Sequence, residues 1–259
     1  MKLKKYLIFF SILFSLSLFF ILNNVVSGQI YKNSRIKNEE IVKELDDRFF
    51  QKSTEYGNYW VSLPEKISSN KITPIVILLH GGVFNGADHG YIFTRIFRSV
   101  YKDYNIVVAS PKMPVNSYPV WRQKDKKLIK SVIENVKKEY RLNPESPVFF
   151  GGFSNGAEYA LKLVLTKEVK ANGVFAFAGG CRLVWNKINK SVNRNLPIFL
   201  SAGYKDGNWI GSTLASYRHL KLKKFSNVTI AGFPGVEHWI DIKQVYKLLE
   251  WIKENKNNV

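Results

Sequence analysis

Short apolar runs alternate along this chain with stretches of helical period, and that alternation limits the fold more than any other feature. The runs are YWVSLP (59–64), PIVILLH (74–80), NIVVASP (105–111), PVFFGGF (147–153), GVFAFAG (173–179), PIFLSAG (197–203) and NVTIAGF (227–233). Most are too uniformly apolar for strands with one wet face, so they read as strands buried on both sides. Between them lie amphipathic patterns. One places Leu128, Ile129, Val132, Ile133, Val136 and Tyr140 on a single stripe with lysines opposite; the last does the same with Ile242, Val245, Tyr246, Leu249 and Ile252. Strands that alternate with helices fold as a mostly parallel sheet covered on both faces, an α/β architecture. With 259 residues, 46% of them hydrophobic, one large core is within reach.

The N-terminus reads differently. Lys2, Lys4 and Lys5 precede the apolar run of residues 6–22, and NNVVSG follows with small residues at Val26 and Gly28. Residues 1–28 are therefore expected to be an export signal, with an uncleaved membrane anchor as the alternative. Either places the remainder outside the cytoplasm, whether periplasmic, secreted or anchored and facing outward. Residues 29–54 read as a lead-in.

Several chemistries are disfavoured by composition. Cys181 is the only cysteine, which excludes an internal disulfide and a thiolate metal cluster, and it reads as a small buried hydrophobe. The four histidines (His80, His89, His219, His238) show no metal-ligand spacing, so no metal and no cofactor are expected. The formal net charge of +19 suits anionic surfaces such as lipid head groups or acidic polymers. No basic block is interleaved with aromatics, so nucleic acid is not an expected partner. Solvated lysines on helix faces, as in RQKDKKLIKSVIENVKKEY, account for most of the charge.

In a parallel sheet of this kind, ligands gather beyond the carboxyl ends of the strands. The strand at 74–80 ends in His80-Gly81-Gly82, and the strand at 147–153 runs into Ser154. The strand at 197–203 is followed by Asp206, and the strand at 227–233 by His238. Gly152-Phe153-Ser154-Asn155-Gly156 matches G-x-S-x-G, a sharp strand-to-helix turn that exposes a serine hydroxyl. A helix-capping serine would not need glycine on both sides. The chain order Ser, Asp, His completes the pattern.

By LLHGG, GFSNGA, GYKDGNW and GVEHW the sequence resembles the α/β-hydrolase superfamily over residues 55–256. Within it, the likeness is to small lidless esterases: the feruloyl-esterase and polyhydroxyalkanoate-depolymerase-like group, and the phospholipase/carboxylesterase group. The resemblance implies an α/β-hydrolase catalytic domain over 55–259 in which Ser154 is the nucleophile, His238 the general base and Asp206 its orienting acid. It implies an oxyanion hole built from the backbone N–H of Asn155 and a second from Gly82 or Val83. The acid turn fits the group's G-x-x-D-x-x-V pattern except that Trp209 stands where a smaller apolar residue is common. His80 reads as a ring bracing the glycine loop.

Only about 18 residues separate the strand ending near 179 from the one beginning near 197, too few for a lid domain. Tyr118, Trp209 and Trp239, with Trp121 and Trp185, fall near strand ends and are candidates for an aromatic substrate wall; packing at the edge of an aromatic core is the alternative. Three functions fit the residues: a carboxylic-ester hydrolase acting on a small, aryl or polymeric ester; a peptidase or amidase with the same triad; and a binding protein that keeps the fold without the chemistry. Oligomeric state is not legible in the sequence.

Overall fold

The run IVILL shows why a two-faced sheet forms. All five residues of Ile75–Leu79 are buried, yet Ile75, Ile77 and Leu79 join one core cluster while Val76 and Leu78 join another. Successive side chains of a strand point to opposite faces, so an uninterrupted apolar run needs cover on both. The computed structural model describes residues 48–67, 71–82, 88–100, 104–112 and 121–257. The strands are β1 (Phe49–Thr54), β2 (Gly57–Ser62), β3 (Ile75–Leu79), β4 (Val107–Pro111), β5 (Val148–Phe153), β6 (Gly173–Phe177), β7 (Ile198–Gly203) and β8 (Val228–Phe233). The helices are α1 (His89–Val100), α2 (Lys126–Glu139), α3 (Asn155–Leu165), α4 (Gly207–Leu222) and α5 (Ile242–Asn255).

The strand order is β1-β2-β4-β3-β5-β6-β7-β8, and β4 through β8 pair in parallel. Among the described strands β2 alone is reversed, pairing antiparallel with β1 on one side and β4 on the other. One cluster packs α2 and α3 over one face with Tyr59, Ile77, Phe150 and Leu161. The other lies under α1 and α5 and is rich in phenylalanine: Phe93, Phe97, Phe149, Phe153, Phe175, Phe177 and Phe199. Among the described residues the connection from β6 to β7 holds only a single 3-10 turn at Cys181–Leu183, so no lid covers the strand ends there.

All seven expected strands are present, and two details differ. β1 forms from residues assigned to a lead-in: Phe49–Thr54 pairs with Gly57–Ser62 as a half-exposed hairpin at the sheet edge. In α5 the buried stripe is Val245, Leu248, Leu249, Trp251 and Ile252, while Ile242 and Tyr246 are exposed. Apolar residues on two adjoining faces allow either phase; packing against α1, β6 and β7 selects the one that buries Trp251.

Candidate active site

Ser154 sits between β5 and α3 with φ 52° and ψ −121°, a sparsely populated conformation for any residue with a side chain. Such a geometry costs on the order of 1–3 kcal/mol and persists only where the surroundings enforce it. Here they do. The Ser154 N–H donates to Phe177 O of β6 at 2.9 Å, and the Ser154 carbonyl accepts from Glu158 N at 3.1 Å. Ser154 makes no side-chain cap to α3, so its hydroxyl is not engaged in holding the helix.

The glycines are explained by close approach. A Cβ on Gly152 or Gly156 would be driven into the backbone carbonyl of Leu79 at the end of β3, and one on Gly151 into the ring of Phe175. A Cβ on Gly81 would lie 2.8 Å from the Phe153 ring and 3.2 Å from Ser154 Cβ. The elbow is therefore seated directly on the end of β3 and on the glycine loop that follows it. That loop is braced from behind: His80 Nδ1 lies 2.9 Å from Gly81 O, and Trp121 Nε1 donates to His80 O at 2.7 Å. His80 is fully buried, and burial pulls its ring down to about 4, so the imidazole is neutral near pH 7. Gly82 ends this described stretch and Asn155 opens α3; Val83 lies outside the described residues.

The other two residues arrive from the far half of the sheet. Asp206 follows β7 at the start of α4, its side chain only 3% exposed and making no cap to that helix. His238 lies in the turn after β8, with 39% of its side chain exposed. This turn folds back over β7: Tyr204 N donates to Phe233 O at 2.9 Å and Lys205 N to Val236 O at 3.0 Å. Gly203 is required beneath it because a Cβ there would strike the Val236 carbonyl. The result is a continuous line, with Asp206 Oδ2 2.8 Å from His238 Nδ1 and His238 Nε2 3.1 Å from Ser154 Oγ. Both are hydrogen-bond distances. The carboxylate fixes the tautomer that leaves Nε2 free to accept from the hydroxyl.

Rival residues are engaged elsewhere. Asp241 caps α5 by accepting from Lys243 N at 2.8 Å. Asp88 accepts from Trp60 Nε1 at 2.9 Å and pairs with Lys112. His89 packs beside Phe93 and Trp239, and His219 lies against Trp185. Cys181 is buried and its thiol is pushed up to about 12, which makes it inert as a nucleophile.

The aromatic candidates divide. Trp121 is buried and serves as the brace already described, not as a wall. Trp239 is half-buried against Phe93 and Phe153. Trp209 stacks on the His238 ring, and Tyr118 lies outside the described residues. One pair has no clear signal in the sequence: Glu158, buried one turn into α3, accepts from Arg182 Nε and Nη2 at 3.1 Å each, tying that helix to the turn after β6. Burial raises the Glu158 carboxyl while the guanidinium fork opposes it. Only the G-x-S-x-G context could have drawn attention to an acid four residues past the serine.

Comparison with known proteins bears on the fold and the family. Acyl-protein thioesterase 1 of Kluyveromyces lactis is 26% identical over 123 residues, covering 44% of this chain and 51% of the relative. The chain thus spans about half the length of that relative. The crystal structure of a thermostable esterase superposes with a TM-score of 0.62 at 17% identity, over 82% of this chain and 64% of that one. Acyl-protein thioesterase 2 of Zea mays does so with a TM-score of 0.57 at 18% identity, over 78% of this chain and 100% of that one. At such identities these structures support the fold. Residues 104–256, more than half of the chain, match the sequence profile of the Phospholipase/Carboxylesterase family, and the chain belongs to that family of α/β hydrolases.

Proposed function

We propose that this protein is an exported serine ester hydrolase in which Ser154, His238 and Asp206 form the catalytic triad. The observation that carries the reading is the hydrogen-bonded line of the three side chains, 3.1 Å and 2.8 Å per link. Ser154 Oγ attacks the ester carbonyl carbon as His238 Nε2 takes the hydroxyl proton. The tetrahedral intermediate collapses when the same proton passes to the leaving alkoxide, which departs as the alcohol and leaves an acyl-Ser154 ester. Water then gives its proton to His238 and its oxygen to the acyl carbon; the acid is released and the proton returns to Ser154. Asp206 orients the imidazole and stabilises its charged form. The N–H groups of Asn155 and Gly82 would receive the oxyanion, Asn155 from the start of α3 where the helix dipole adds to the effect.

An unlidded approach suits small, aryl or polymeric esters. Thioesters proceed through the same acyl-enzyme and are named by two of the relatives, so they belong in the substrate panel. Export is supported by the lysines and apolar run of residues 2–22, and the +19 charge favours work near anionic membrane surfaces. Hydrolysis of p-nitrophenyl acetate or butyrate should vanish in a folded Ser154→Ala variant. Activity that persists there would remove Ser154 from the mechanism.

A further inference from the structure

Two in-plane hydrogen bonds hold His238, one at each ring nitrogen. They define an axis but leave the ring free to tilt about it, and over a third of the side chain faces water. The indole of Trp209 lies nearly parallel to the imidazole, 16° between planes and 5.3 Å between centroids. The Phe153 ring stands 4.7 Å away at 39°. Trp209 is itself held in place: its side chain packs against the phenylalanine-rich core cluster, and its backbone N–H donates to the backbone carbonyl of Asp206 at 3.2 Å in the first turn of α4. The stacking ring and the orienting carboxylate therefore belong to one turn of α4. A cation within about 6 Å of an indole face is attracted to it, and indole is the strongest of the aromatic faces in this respect.

We propose that Trp209 is a positioning residue for the histidine: its face fixes the tilt of the His238 ring toward Ser154 and stabilises the imidazolium that exists only while the proton is in transit. This gives the departure at position 209 a task that an aliphatic side chain could fill sterically but not electronically. Because the charged ring forms on the way to the transition state, the contribution belongs in kcat, not in KM. The inference rests on the ester-hydrolase reading above.

The test compares Trp209→Phe, Trp209→Leu and Trp209→Ala on p-nitrophenyl acetate, with melting temperature measured for each. Expected is a kcat about tenfold lower in the Leu and Ala variants with KM within about twofold of wild type, and rescue by Phe to within about threefold. The His238 Cε1 proton, identified by its loss in His238→Gln, should lie upfield under the indole and move downfield in Trp209→Leu. An active wild type with kcat unchanged in Trp209→Leu, a loss confined to KM, or an unmoved resonance overturns the role of Trp209 alone. A wild type that neither hydrolyses the ester nor reacts with a fluorophosphonate defeats the ester-hydrolase reading itself.

Discussion

The two halves of the site are built by opposite means. Around Ser154 there is no spare volume: Gly151, Gly152 and Gly156 each touch a neighbour where a single methyl would go, and every residue of β5 is buried. Around Asp206 and His238 the chain is at the edge of the sheet, β8 is half-exposed, and Gly207 and Gly211 face open space. Gly203, whose Cβ would strike the Val236 carbonyl, and Gly232, whose Cβ would meet the ring of the exposed Tyr204, are the exceptions there. Ser154 is thus set by packing that also holds the fold, whereas Asp206 and His238 are set by a few hydrogen bonds and rings laid on a finished scaffold. Function and stability should be inseparable at the elbow and separable at the edge.

The largest expected effect tests that separation. Asp206→Asn should lower kcat by about four orders of magnitude, because the amide favours the wrong tautomer of His238. Its melting temperature should stay within a few degrees; a large drop would show the edge to be structural after all. Next comes Gly156→Ala, whose methyl would meet the carbonyls of Leu79 and His80. Chemical denaturation should show a loss of about 3 kcal/mol or more, since backbone cannot yield as a flexible side chain does. A near-neutral result would dissolve the contrast between the two halves.

A third effect comes from the brace behind the elbow. Burial holds His80 at about 4, below the ordinary 6.5, so between those values the folded state binds fewer protons than the unfolded one. The stabilisation is complete above about pH 6.5 and falls away as the pH drops toward 4. Between pH 7 and pH 5 this amounts to about 2 kcal/mol, and the pH dependence measured by denaturation should be shallower by that amount in His80→Gln. The smallest effect is at the edge: Gly211→Ala, inside α4 with nothing within 4 Å, should stabilise by up to about 1 kcal/mol and leave activity intact.

Legibility in the sequence followed the same division. Ser154 and Asp206 could be named because each follows a fully buried strand with an unmistakable apolar run, and His238 because it follows the run NVTIAGF in the chain order Ser, Asp, His; the structure brings the three together. β1 escaped notice because FFQKST has the mixed polarity of a half-exposed edge strand, and edge pairing needs no continuous apolar signal. The phase of α5 was ambiguous for a related reason. Ile242 and Tyr246 are apolar yet exposed, and only contacts with distant elements decide which stripe is buried. Tryptophans were the least readable: Trp121, Trp209 and Trp239 all fall near strand ends, but one braces a loop, one stacks on the histidine and one fills the core rim. No local pattern distinguishes those tasks. The Glu158–Arg182 pair joins residues 24 apart and likewise exists only in three dimensions.

The central claim is that Ser154 is the one serine activated by a histidine, and covalent labelling tests it most directly. The folded protein, treated with a fluorophosphonate and analysed by intact mass and peptide mapping, should gain one adduct, located on Ser154, and His238→Ala should react far more slowly. A protein that gains no adduct, or carries it on another serine, would contradict the account.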